Sequence, residues 1–149
     1  MKRYFSFLKE YIDKDRAYKI EGPLAIFDDV SSIENMPDKK GIYFIASRKH
    51  RFVYPNGNSP IIYIGKADNL RKRLMGHSRE ARNAKETRKT QWVYSRYNYI
   101  MMDGGADVYF LTTITNENPK GLESRALEDF YNKYWALPVG NGAFSYRGK

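Results

Sequence analysis

Hydrophobic and polar positions along the chain follow two periods. Two short runs, Gly41-Ile42-Tyr43-Phe44-Ile45 and Ile61-Ile62-Tyr63-Ile64-Gly65, are dense in β-branched and aromatic residues and bounded by turn formers. Such runs read as buried strands. Side chains alternate along a strand, which predicts Tyr43 on one face with Ile45, and Tyr63 on one face with Ile61 and Gly65. If the strands pair, two phenols stand side by side, and Gly65 leaves the adjacent backbone open to close approach by a ligand. Between the runs, residues 47–60 (SRKHRFVYPNGNSP) contain Phe52-Val53-Tyr54 and then Pro55-Asn56-Gly57-Asn58. That is a turn signal, and it predicts an inserted hairpin. Asp107 to Thr115 has the composition of a third strand.

Elsewhere the period is that of a helix. Tyr4, Phe5, Leu8, Tyr11 and Ile12 predict an amphipathic helix over 2–16. Gly22-Pro23 interrupts, Leu24 to Phe27 reads as a short strand, and 31–40 as a turn or short helix leading into the first tyrosine strand. After Gly65, Asp68 or Asn69 can cap a helix along which Leu70, Leu74, His77, Ala81 and Ala84 recur, with Gly76 as a weak point where it can break. Arg73 and His77, four apart, are neighbours on its surface. Residues 91–100 (QWVYSRYNYI) are apolar and aromatic. Leu122, Ala126, Leu127, Phe130, Tyr131 and Tyr134 form the stripe of a last helix, stopped by Pro138 and followed by a closing loop over 139–142. The fold class is α/β (α+β): a small, mainly antiparallel three-stranded central sheet flanked by helices, with an inserted hairpin and an N-terminal helix. Residues 1–149 read as one domain, an N-terminal helical extension over 1–36 and a core over 37–141.

Composition narrows the function. A chain of 149 residues, 42% hydrophobic and 15% aromatic, is long enough for a real core and is not a disordered segment. No apolar run has the length of a membrane span, and the start lacks a signal-peptide core, so a cytoplasmic protein with no membrane partner is expected. Absence of cysteine excludes disulfides, thiolate metal sites and cysteine nucleophiles. The net charge is +9, and residues 66–96 hold ten basic side chains against three acidic ones. A basic stripe of this kind is the footprint of a nucleic-acid binder. Lys66, Arg71, Lys72, Arg79, Arg82 and Lys85 are the candidate backbone contacts.

Gly-Ile-Tyr at 41–43, Tyr-Ile-Gly at 63–65, the following Lys66 to Leu74, Arg73 ten positions after the second tyrosine, and His77 four further on resemble the GIY-YIG nuclease family. A downstream helical glutamate and a late asparagine, here Asn141, complete that pattern. The likeness spans roughly 37–141. The two tyrosines are twenty residues apart, wider than the family's usual hairpin, and an insertion at this point resembles its restriction-endonuclease members.

What the resemblance implies agrees with the chemistry of the residues. Phosphodiester hydrolysis needs an activated water, a proton acceptor and stabilisation of charge on the phosphate and leaving oxygen. Tyr63 is the candidate base; a phenol ordinarily titrates near 10, so a cation or metal must favour its phenolate. Tyr43 would orient the water or share the proton. Arg73 has the planar fork that suits phosphate oxygens, and His77 could hold the phosphate or Tyr63. Asn141 would order the site or touch the backbone.

Two glutamates compete for the metal. At about 100° per residue, Glu123 falls about 40° from Leu127 on the apolar side, and Glu128 about 100° away on the stripe edge. An inward carboxylate is costly unless paired or metal-bound, so Glu123 is the chosen ligand. One carboxylate implies a single Mg²⁺ or Mn²⁺. The expected function is therefore a metal-dependent endonuclease acting on double-stranded DNA, of a sequence-specific restriction type. Specificity would come from 47–60, from 78–100 or from a homodimer. The alternatives are a repair or mobile-element nuclease, and a catalytically silent nucleic-acid-binding module of the same fold.

Overall fold

The computed structural model describes residues 4–8, 19–87, 95–113 and 118–141. In chain order the elements are β1 (Glu21–Leu24), β2 (Gly41–Ser47), β3 (Phe52–Tyr54), β4 (Gly57–Ser59), β5 (Ile61–Ala67), α1 (Leu70–Thr87), α2 (Ser95–Ile100), β6 (Ala106–Thr112) and α3 (Pro119–Tyr134), with short 3-10 turns at Ser6–Leu8 and Val30–Asn35. The central sheet has the order β1-β6-β2-β5, and every neighbouring pair is antiparallel.

The sheet therefore has four strands where three were expected. The fourth lies three residues before the expected run at 24–27, which instead turns back through the amides of Asp28 and Asp29 onto the Ala25 carbonyl. Gly22-Pro23 does not interrupt it. Pro23 is tolerated because β1 is an edge strand with an irregular register between Glu21 and Leu24. Gly22 has φ 114° and lies where a Cβ would come 2.7 Å from the Val108 carbonyl oxygen.

The two tyrosine strands pair with each other, Tyr43 opposite Gly65 and Ile45 opposite Tyr63, but Ala46 then faces Ile61. The extra residue, Ile62, is a bulge. It turns Ile62 and Tyr63 into one core and leaves Ile61 and Ile64 in the other, so the expected sharing of a face by Tyr63 and Ile61 does not occur.

Two layers cover the sheet. On one face Ile42, Phe44 and Leu111 pack against Leu122, Ala126, Leu127 and Phe130 of α3. Phe5, Phe7 and Leu8 complete that core, so this early segment is part of the fold's interior. Among the residues expected in an N-terminal helix, only 4–8 are described, with a single 3-10 turn; the rest lie outside the described residues. On the other face Tyr43, Ile45, Val108 and Phe110 pack against Leu70, Leu74, Ala81 and Ala84 of α1, and Tyr97 and Ile100 of α2.

Asn69 begins α1 by accepting a hydrogen bond from the Lys72 amide at 3.0 Å, and the helix runs unbroken past Gly76. A mid-helix glycine costs about 1 kcal/mol relative to alanine, which the buried Leu74, His77 and Ser78 around it outweigh. Asn118 caps α3 in the same way. The inserted hairpin forms as β3–β4 and is anchored by Tyr54, which packs on Phe130 and Tyr134 and accepts a hydrogen bond from the Val139 amide.

Candidate active site

Strand β5 is an open edge of the sheet, and an open edge presents unpaired N–H and C=O groups. Here several of them are bonded by the closing loop. Gly140 donates its amide to the Ile62 carbonyl at 2.7 Å. Asn141 is buried; its side chain accepts from the Ile64 amide at 2.9 Å and donates to the Ile64 carbonyl at 2.8 Å. The Glu123 carboxylate lies beside the Lys66 amide and ammonium, which favour its charged form. Side chains from both layers therefore reach round this edge and meet. Arg73 comes from α1, Glu123 and Leu127 from α3. With Tyr63, Lys66 and Asn141 they line a pocket of about 280 Å³. A groove of about 410 Å³ shares Lys66 and Arg73 with it and extends past Lys72 to Asn118 and Pro119.

Behind the pocket wall is an aromatic relay. Tyr43 is fully buried, and its ring lies across Gly65: a Cβ there would come 2.5 Å from the Tyr43 Cζ and 2.7 Å from the Tyr63 Cε1. Gly65 thus makes room for the two phenols rather than for a ligand. Their ring centroids are 5.9 Å apart. The Tyr43 hydroxyl is 2.5 Å from His77 Nε2, and His77 Nδ1 is 3.0 Å from the Tyr97 hydroxyl. Burial, and then the neighbouring Tyr63, pushes the Tyr43 phenol well above its usual range, although Arg73 and Arg96 pull the other way.

Burial also pushes His77 down to about 3, assisted by the charges of Arg73 and Arg96. The imidazole is neutral at neutral pH, so one nitrogen donates and the other accepts. The Arg73 cation lies on the side of the Tyr43 oxygen and favours its electron-rich form. The arrangement that satisfies the whole chain sends the Tyr43 O–H to Nε2 and the Nδ1–H to Tyr97. His77 was expected to hold the phosphate or Tyr63. It is 3% exposed, its nitrogens are bonded to Tyr43 and Tyr97, and it meets Tyr63 through a ring contact at 5.7 Å. An uncharged, buried imidazole is no phosphate clamp.

Helical phase sorts the glutamates as geometry requires: Glu123 is half-buried in the pocket and Glu128 is in solvent. Burial raises the Glu123 carboxyl above its usual range, opposed by Lys66, Arg73 and Lys120. Among the described residues no cluster of three acidic or histidine side chains surrounds it. A lone, partly desolvated carboxylate beside an open pocket fits an Mg²⁺-like ion, which keeps several waters and takes few protein ligands.

The basic candidates divide. Lys66, Lys72, Arg79 and Arg82 are exposed, whereas the side chain of Lys85 and residues 88–94 lie outside the described residues. Arg71 is a correction. Its guanidinium is committed to the Met36 and Glu34 carbonyls and to Asp38, at 2.8, 3.2 and 3.0 Å, and it fastens the loop over 34–38 to α1 instead of facing a phosphate. Two residues of the constellation escaped the sequence reading: Tyr97, and Arg96, whose Cζ lies 4.4 Å from the Tyr63 ring centroid. The available signal was one arginine set inside the aromatic run 91–100.

A family model described as the GIY-YIG catalytic domain matches residues 39–129. The UvrABC system protein C of Hydrogenobaculum sp. (strain Y04AAS1) is 32% identical over 79 residues, 48% of this chain and 12% of that protein. The UvrABC system protein C of Mesoplasma florum is 26% identical over 116 residues, 78% of this chain and 16% of that protein. For Aquifex aeolicus the figures are 35% over 74 residues, 45% and 11%. The chain thus spans between 11% and 16% of the length of these relatives. No solved structure gives a significant match.

Proposed function

The chain belongs to the GIY-YIG family, and from that premise we propose that it is a metal-dependent endonuclease hydrolysing phosphodiester bonds in double-stranded DNA. The observation that carries the reading is the convergence of Tyr63, Lys66, Arg73 and Glu123 on one pocket at the sheet edge, with a basic groove leading from it.

The division of labour follows from exposure. Tyr63 is the reacting phenol, since it lines the pocket while Tyr43 lies behind it. Tyr63 takes the proton of the attacking water. Tyr43, with His77 and Tyr97, is a positioning network: the buried hydroxyl stays protonated, is held by His77, and fixes the neighbouring ring. Arg73 binds the phosphate and neutralises charge that builds on its oxygens, with Lys66 beside it. Glu123 is the group that would hold a divalent ion, which supplies electrostatic stabilisation of the phosphate and leaving oxygen when bound. Asn141 serves by position, tying the closing loop to β5 so that the pocket keeps its shape.

Within this class a sequence-specific restriction type is supported by the hairpin inserted between the two tyrosine strands. A second reading is favoured by the relatives: a nuclease module that acts within a larger multi-protein system, as the UvrABC system protein C name states for those proteins. Supercoiled plasmid incubated with the protein in Mg²⁺ or in EDTA, followed by sequencing of the new ends, tests both. Discrete ends sharing a sequence support the restriction type, and scattered nicks support the module. No cleavage under any metal condition, with duplex still bound, would leave only the silent binding module.

A further inference from the structure

We propose that Arg96 is a positioning residue for the reacting phenol, its guanidinium holding the ring of Tyr63 at the pocket wall. The proposal rests on the reading of Tyr63 as the base. Arg96 belongs to α2, outside the tyrosine strands and the helices that supply Arg73 and Glu123. Its Cζ stands 4.4 Å from the centre of the Tyr63 ring, within the range where a cation is attracted by the negative face of an aromatic ring. The side chain is half-buried. Among the described residues, the face of the Tyr63 phenol is the partner that this guanidinium engages. A partly desolvated cation needs such a partner.

The root of the side chain is fixed as well. A Cβ on Gly140 would come 3.2 Å from the Arg96 Cβ and 2.7 Å from the Ile62 carbonyl oxygen. The glycine thus lets α2, the closing loop and β5 meet at one point. Tyr63 follows the Ile62 bulge directly, so Arg96 is locked against the same stretch of strand whose phenol it covers. The next residue, Tyr97, bonds His77. Consecutive positions of one short helix therefore hold both parts of the aromatic constellation, Arg96 on Tyr63 and Tyr97 on the His77–Tyr43 pair. Arginine suits this task because its planar guanidinium stacks on a ring over a wide area. A reacting atom misplaced by an ångström can lose about 100-fold in rate.

The test is single-turnover plasmid nicking with Arg96→Met, Arg96→Gln and Arg96→Lys, alone and combined with Tyr63→Phe. DNA affinity, its salt dependence and thermal melting are measured on each. Arg96→Met and Arg96→Gln are expected to nick about 10- to 100-fold more slowly with affinity and salt slope unchanged, and Arg96→Lys to recover part of the rate because a cation remains over the ring. In the Tyr63→Phe background, removing Arg96 should change the rate by less than about 2-fold, since the effect passes through the absent hydroxyl. Full-rate nicking by the Met and Gln variants would overturn the proposal. So would an undiminished further loss in the Tyr63→Phe background, or weakened binding with a salt slope shallower by about one, which would make Arg96 a phosphate contact. A Tyr63→Phe protein that nicks at the parental rate removes the base assignment itself, a separate result.

Discussion

At the residue scale the two motif tyrosines are chemically unequal. Tyr63 lines the pocket and Tyr43 is sealed beneath it, its phenol raised by burial. Tyr63→Phe should lower nicking by about 10²- to 10⁴-fold, the usual span of a general base, and Tyr43→Phe by less, with duplex binding unchanged in both. An unimpaired Tyr63→Phe enzyme would mean that another group activates the water. His77 carries a stability signature. Burial holds its folded-state value at about 3, below the ordinary 6.5, so the unfolded chain binds the proton more readily. Its contribution is present above about pH 6.5 and is lost as pH falls towards 3, at up to about 1.4 kcal/mol per unit. The raised Glu123 carboxyl works in the opposite sense. Melting curves between pH 7 and 4 should slope less in His77→Gln than in the parent; equal slopes would assign the acid sensitivity elsewhere. For the glutamates, Glu123→Gln should abolish Mg²⁺-dependent nicking while leaving DNA binding intact or tighter, because one repulsive charge near the phosphate is gone. Glu128→Gln, in solvent, should be near neutral. The reverse result would move the metal ligand to Glu128.

At the element scale, β5 is the part on which the site depends. Its bulge at Ile62 turns Tyr63 into the inner core, and its open edge is bonded by Gly140 and Asn141, with Glu123 beside it. Alternation along an ideal strand could not foretell the bulge, because the inserted residue is visible only against the partner strand. Gly65 is the sharpest point of contact. An added methyl would sit 2.5 to 2.7 Å from atoms of both phenol rings, so Gly65→Ala should destabilise the fold by about 1–3 kcal/mol through overpacking and displace the rings enough to silence cleavage. A folded, fully active Gly65→Ala protein would show that ring placement tolerates more freedom than this packing allows. Helix α1 was legible from its period, because Leu70, Leu74, His77, Ala81 and Ala84 do form its inner face. The use of its charges was not: Arg71 and Arg79 have the same composition signal, and only the loop over 34–38 lying against Arg71 separates a clamp from an exposed cation.

At the scale of the whole molecule, the charge of +9 predicts affinity for duplex that falls steeply with salt, each neutralised phosphate adding about 0.9 to the log–log slope. Replacing Lys72, Arg79 and Arg82, all exposed, with Ala should flatten that slope by up to about three units, while Arg71→Ala should lower the melting temperature and leave the slope alone. A parent slope near zero would remove nucleic acid as the substrate. What the sequence determined by itself was whatever is local in the chain: the two tyrosine strands, the period of α1 and α3, the hairpin between the strands, the basic stripe, and the inward phase of Glu123. Each follows from residues close together along the chain. The tertiary structure alone decided what depends on distant segments meeting. The fourth strand needed β6 to pair with a chain that contains a proline. The hiding of His77 needed Tyr43 on one side and Tyr97 on the other. The pocket needed α1 and α3, on opposite faces of the sheet, to reach round one edge strand. Burial and pairing are properties of that meeting, and they set which side chains keep a charge, which keep a proton and which face a phosphate.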